Sequence, residues 1–334
     1  ALALAIGGLV AITIKFIDAV IKLSIALIDA ENAFMRTTGA SQQLASQITT
    51  TYAEMRRFGV TIEDASGSLN ALFKDFKDFT LLNEQQQKTL VQTASILGRL
   101  GVAHGDFAKS VEIGTKMMGV SIDQSGEMML KMRRQAQALG VDVGVLTSQF
   151  ASGGAAFAKF GATGVDTFVD LARVSKITGM ELTKLLNMVN KFDTFDGAAE
   201  QAGKLNAMLG GNFVNAMDLM MTTDPVDRFE MIRGAIENAG LSFDTMSYYQ
   251  RKFYADSLGL DSVGDLALML SGNMSELSAE VNKTSADYAR QAEEARKLQS
   301  AQDYFRTLFV EMTPVIKDVQ QGIRDFFEEM NKPE

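Results

Sequence analysis

Apolar positions along this chain are interrupted in a regular way. From about residue 55 to 275 a helical run ends, a glycine follows, then an apolar residue, then often Ser, Thr or Asp, and a new amphipathic run begins. The pattern reads RRFGVTIED at 56–64, GRLGVAHGD at 98–106, KMMGVSIDQ at 116–124, QALGVDVGV at 137–145, ENAGLSFDT at 237–245 and DSLGLDSVG at 256–264, with looser versions at Gly161 and Gly179. Glycine suits the left-handed position just past a helix end. A hydroxyl or carboxylate two residues on suits the N-cap of the next helix, where it accepts bonds from free amides. Ser121 with Gln124, and Asn83 with Gln86, have capping-box spacing. Gly101, Gly119, Gly140, Gly161 and Gly179 lie 18, 21, 21 and 18 residues apart, the length of one short helix plus a tight turn. Ile122, Met129, Met132, Ala136 and Leu139 share one helical face, as do Leu146, Phe150, Phe157 and Phe160. No period-two alternation of β-branched residues is sustained. Residues 39–274 are therefore predicted to be an all-α bundle of short helical hairpins.

The two ends follow other patterns. Residues 1–38 start with the most apolar stretch, uncharged as far as residue 14. Lys15, Asp18, Lys22 and Asp29 step by 3, 4 and 7 and so share one helical face. A bilayer needs about 20 apolar residues, and the run lacks the basic start of a secretory leader. Two readings stay open: an interior helix of a bundle or oligomer, or a membrane-competent segment carried by Leu4, Ile6, Leu9, Val10, Ile12, Ile14, Phe16 and Ile17. Residues 275–334 have few glycines. Alternating steps of 4 and 3 pick out Leu277, Val281, Tyr288, Leu298, Phe305, Phe309, Met312, Ile316, Val319, Ile323, Phe326 and Met330, with Ala295 and polar residues only at Thr284, Gln291 and Gln302. That seam predicts a long helix in a coiled coil, hence self-association. Pro314 costs about 3 kcal/mol inside a helix, so a second helix starting after Thr313 is the alternative.

Composition narrows the chemistry. The chain has 334 residues, 46% of them hydrophobic, which excludes general disorder, and a net charge of −9. That balance argues against a protein that binds nucleic acid mainly through phosphate contacts, and no sequence-specific nucleic-acid binding is expected. With no cysteine, disulfides, zinc-thiolate sites and cysteine nucleophiles are excluded. The single histidine, His104, removes His-pair metal sites and reads as a solvated residue of the Gly101–Gly105 turn. Ala1 in place of Met predicts a processed or excised piece of a longer chain. Asp193 and Asp196 in KFDTFDG form either a metal or acid–base pair or, as favoured here, a polar turn closed by Gly197 with one Asp as a cap. No EF-hand spacing surrounds them. Gly210-Gly211 lacks the lysine of a phosphate loop and reads as a helix break. The 19 methionines suit an adaptable core, with a peptide groove as the lesser reading. No cofactor, metal or catalytic constellation is predicted.

The order of these segments carries a resemblance. An apolar helix leads into DAENAFMRTTGAS at 29–41, LGVDVGVLTSQFASGGAAFAKFG follows at 139–161, and KFDTFDGAAEQAGKLNAMLGGNFVNAMDLMMTTDPVDRFEMIRGAIENAGLSFDTMSYYQRK at 191–252. Over roughly residues 25–275 the chain resembles the tail tape measure proteins of contractile-tailed bacteriophages. The resemblance implies a non-enzymatic virion component, coiled inside the tail tube and held at the tail-tip hub, which sets tube length and leaves ahead of the DNA. Its implied partners are further copies of itself in a threefold or sixfold arrangement, tail-tube and hub proteins, and the host inner membrane. Glycine breaks are too frequent for an extended ruler, so a terminal or tip-associated portion is expected. A membrane-active, pore-forming helical protein is the alternative, and a cell-wall hydrolase a more distant one.

Overall fold

A computed structural model describes the backbone of residues 2–271 and the side chains of residues 18–271. The seam from Leu277 to Met330 and the side chains of the membrane candidates Leu4 to Ile17 lie outside the described residues. Within them the fold is all-helical, with no strand. The helices are α1 (Leu2–Thr38), α2 (Gln42–Ala45), α3 (Gln47–Met55), α4 (Ile62–Asp75), α5 (Glu84–Gly98), α6 (His104–Met117), α7 (Ile122–Ala138), α8 (Val143–Gly153), α9 (Gly164–Thr178), α10 (Leu182–Asn190), α11 (Phe195–Leu209), α12 (Ala216–Met221), α13 (Pro225–Asn238), α14 (Tyr248–Leu258) and α15 (Val263–Ser271). Short 3-10 segments cover Arg56–Phe58, Phe79–Leu81 and Gly154–Thr163. The chain divides into two compact units, the first ending at Glu112 and the second beginning at Ile113.

The glycine pattern works as its spacing predicts. All eight punctuating glycines, and Gly39 and Gly210 besides, have positive φ. The structure also explains the apolar residue that follows. Val102, Val120, Val141, Leu241 and Leu260 each donate their amide back to a carbonyl five or six residues earlier, as in Val102 to Leu97 at 3.1 Å and Leu260 to Ala255 at 2.8 Å. This closes the helix end in a Schellman-type turn. Val60, Val102, Met180 and Leu260 at these positions are buried, so one residue both ends a helix and seals it to the core.

The caps follow after Gly59, Gly119 and Gly140, whereas Thr163 after Gly161 and Glu181 after Gly179 stand at the N-cap without a side-chain cap bond. Thr61 with Asp64 and Ser121 with Gln124 form full capping boxes, and Asp142 accepts the Val145 amide. After Gly240, however, Ser242 bonds reciprocally with Thr245 in a turn, and α14 starts later with its own box, Ser247 with Gln250. After Gly259 the cap bond is made by Ser262, whose hydroxyl accepts the Asp265 amide at 3.1 Å. Asp261 instead faces Lys184 at 3.3 Å.

In the first unit, α4 and α5 pack against each other and against α3, and α1 lies on α4. The described half of α1 buries Ser24, Leu27, Glu31 and Phe34, a 3–4–3 stripe that fits one helical face. Phe34 meets Phe73 of α4 edge-on at 5.6 Å. Asp18, Lys22 and Asp29 are exposed on the opposite face, and Lys22 pairs with Asp18 at 2.8 Å. Small residues bring α4 and α5 close, with the Ser95 and Ser68 hydroxyls 3.0 Å apart and fully buried.

The second unit is organised around α9, which packs against the Gly154–Thr163 segment, α7, α10, α13 and α15. Val165, Phe168, Val169, Leu171 and Val174 are all buried, so α9 is covered over most of its circumference, with Asp166, Asp170 and Arg173 on the one face left toward solvent. It begins at Gly164, where a Cβ would lie 2.6 Å from the Phe157 carbonyl oxygen. Only glycine permits that approach.

Candidate functional site

The KFDTFDG segment is where sequence reading placed the strongest candidate for chemistry. Lys191 ends α10 and Thr194 caps α11, its hydroxyl accepting the Gly197 amide at 3.1 Å. The cap is thus a threonine, and neither aspartate fills that role as the sequence reading had it. Asp193 instead accepts from Lys159 Nζ at 2.7 Å and Arg228 Nη1 at 2.6 Å. Asp196 stays exposed on the first turn of α11. Arg228 is only 3% exposed and also donates to the carbonyls of Val189 (2.7 Å), Leu219 (2.9 Å) and Thr222 (3.0 Å). One guanidinium therefore ties the C-terminal ends of α10 and α12 to α13 and to the α10–α11 turn. Burial alone pushes the Asp193 carboxyl upward, but the hydrogen bonds from Lys159 and Arg228 outweigh it and hold the group below the usual carboxylate range. Two cations engage the Asp193 carboxylate, so that group ties helices together and does not stand free for acid–base work. Among the described residues no group of three or more His, Asp or Glu side chains could hold a metal ion.

His104 is a correction. It is the first residue of α6 and not a solvated turn residue. Its ring lies between Gly67 of α4 and Gly98 of α5: a Cβ at Gly67 would come 2.7 Å from Nδ1, and one at Gly98 would overlap Nε2. Nε2 is buried with no hydrogen-bond partner. Burial lowers the pKa below 6.5, and the opposing pull of Asp64 is smaller. The unfolded chain therefore takes up this proton at a higher pH than the folded chain. The stability contribution is complete above about pH 6.5, is lost as pH falls toward the lowered folded value, and levels off below it. Denaturation midpoints at about pH 7.5 and about pH 5.5 should fall for the native chain and fall less for His104→Gln. Parallel losses in both would show that other groups carry the dependence.

The loop after α11 resolves the Gly210-Gly211 question. Asn206 accepts the amides of Phe213 (2.9 Å) and Val214 (2.8 Å) and donates to the Val214 carbonyl at 2.7 Å. Amides that would cradle a phosphate are thus turned inward to one side chain. The methionines divide between roles: Met118, Met129, Met132, Met180, Met188 and Met269 are buried, whereas Met117, Met217 and Met221 are exposed.

Sequence reading missed a cleft of about 460 Å³ in the first unit. It is formed where the α1–α2 turn, α3 and the α4–α5 connection meet. Leu44, Phe73 and Leu82 supply apolar wall, and Ser41, Gln43, Gln47, Thr80, Glu84 and Gln87 supply polar wall. Gln47 donates from Nε2 to Gln87 Oε1 at 3.0 Å, and Gln87 donates to the Phe79 carbonyl at 3.1 Å. The clustering of glutamines in QQLASQ at 42–47 and EQQQ at 84–87 was the available signal, but nothing local says that these two segments face each other. Among the described residues no helix is long and apolar enough to cross a membrane. No family model, curated protein or solved structure matches the chain.

Proposed function

We propose that this chain is a tip-associated portion of the tail tape measure protein of a contractile-tailed bacteriophage. On this reading it is a structural virion component, held inside the tail tube and ejected ahead of the genome, with no reaction of its own. The observation that carries the reading is the resemblance across residues 191–252, set in a wider one over roughly 25–275. The helical architecture supports it in a coarser way. Short helices closed by glycine turns pack into compact units, which suits an anchoring end better than the extended ruler. Copies would associate through the 277–330 seam, the apolar start would pack inside that assembly before release, and tail-tube and hub proteins would be its neighbours. The host inner membrane would be its target during delivery.

Mass spectrometry of purified tails tests this. Tails of the phage that encodes the chain should contain it, and particles that have ejected their DNA in vitro should have lost it. Its absence from intact tails, or its retention after ejection, would end the proposal. Dye release from liposomes by the isolated monomer would favour a pore-forming protein instead.

A further inference from the structure

We propose that His104 is a proton-operated latch: its neutral ring holds the start of α6 against α4 and α5, and acid releases that end of the helix while the rest of the fold persists. The slot fits the ring closely. A Cβ at Gly67 would lie 2.7 Å from Nδ1 and one at Gly98 would lie 2.3 Å from Nε2, so both helices give up a side chain where the imidazole passes. Nε2 is sealed and has no hydrogen-bond partner. Whichever nitrogen carries the proton in the neutral ring, the imidazolium has an N–H at both. Protonation therefore leaves a donor without an acceptor at the sealed position and adds a charge to the slot, and both are costly. His104 is also the first residue of α6, where the helix dipole disfavours a cation.

Charges around the slot do not offset this. From α4, Asp64 attracts the imidazolium, but its carboxylate already accepts the Thr61 amide at 2.9 Å and stands 3.8 Å from Arg99 Nη1. Asp75, at the other end of α4, lies by the neighbouring Gly105, 3.3 Å from where a Cβ there would be. From α5 the charged group is Arg99 at the C-cap, a further cation. On α6 itself Asp106 follows in the first turn and Lys109 is exposed. Of these, Asp64 is the charge that acts on the ring, and burial outweighs it. Phe107, Ala108 and Val111 of α6 are fully buried with the ring in place, and freeing the helix start uncovers them. The ring and its slot are the same whatever assembly the chain joins, so the latch stands or falls apart from the tail reading.

Amide hydrogen exchange of the full chain, read by mass spectrometry and corrected for intrinsic rates, tests the latch. A released ring regains the ordinary value of 6.5, so each pH unit below it multiplies the open population by up to about tenfold. Amides of residues 105–112 should therefore lose close to about tenfold in protection between about pH 7.5 and about pH 5.5. The middle of α5 and all of α9 should keep theirs. His104→Gln has no charge to gain and should show no such loss between the two conditions. Gly98→Ala, whose added methyl overlaps Nε2, should open the same amides already at about pH 7.5, with circular dichroism checking that the helices persist. An equal loss across α5, α6 and α9, a loss that survives in His104→Gln, or native exchange in a folded Gly98→Ala would each overturn the proposal.

Discussion

Replacing Arg228 with Met should destabilise the second unit by about 3 kcal/mol, the lower end of the cost of breaking a buried ion pair. The lower end applies because Asp193 is 40% exposed and keeps Lys159, so its charge is not stranded. Most of the loss comes from the three carbonyls of Val189, Leu219 and Thr222, which lose a charged donor in a water-poor setting. Methionine fills similar volume but offers no donor. Two comparisons give the experiment its direction. Lys159→Met removes only an exposed partner and should cost under about 1 kcal/mol. Asp193→Asn should fall between the two, and its penalty should shrink as pH falls through the depressed carboxyl pKa, because protonation already removes the charge the bonds stabilise. Urea denaturation followed by circular dichroism measures all three. If Arg228→Met and Lys159→Met were equally mild, the guanidinium would not be holding these helix ends together.

Phe168→Ala should cost about 3–5 kcal/mol, the range for an aromatic side chain removed from a closed core. Phe168 is fully buried on α9, with Phe150 at 4.9 Å and 69° and Phe157 at 5.4 Å and 86°. Both neighbours meet it in inclined or edge-on arrangements, the geometries that the ring quadrupole favours. The damage should be greatest in Gly154–Thr163, since a 3-10 segment has poorer internal hydrogen bonds and depends on what it packs against. Amide exchange there should accelerate more than in α11, which shares no ring with Phe168. Phe168→Leu should recover much of the loss, because it leaves a smaller cavity. Phe160→Ala is the control: that ring is half-buried and meets the cluster only at its edge, against Phe157 at a 42° tilt. A Phe168→Ala cost no larger than that of Phe160→Ala would refute the central place given to these rings.

Where helices start and stop was legible because those signals are local. A Schellman turn is closed by bonds spanning five or six residues, and a capping box by bonds spanning three, so Gly119-Val120-Ser121 and its neighbours state their structure in a few adjacent letters. The same locality accounts for the misses. Ser242 was as good a cap as Ser121 by type and spacing, yet Thr245 offered it a tighter turn, and helix formation waited for Ser247. The faces were partly legible: Met129, Met132 and Ala136 are buried as their spacing implies, while Ile122 at the helix start is only half-buried.

What the sequence determined by itself, over the described residues, is a helical fold cut into short segments at fixed glycines, each segment with a recognisable apolar face. What only the tertiary structure decided is which segments meet. His104 lies in its slot because Gly67 and Gly98, 31 residues apart, leave space on adjoining helices. Asp193 is held by an arginine 35 residues further on. The cleft exists because two glutamine-bearing segments 40 residues apart face each other. A helix period says that a face is apolar but not which partner covers it. That choice is made by the combined packing of many weak contacts, and no adjacent residues record it.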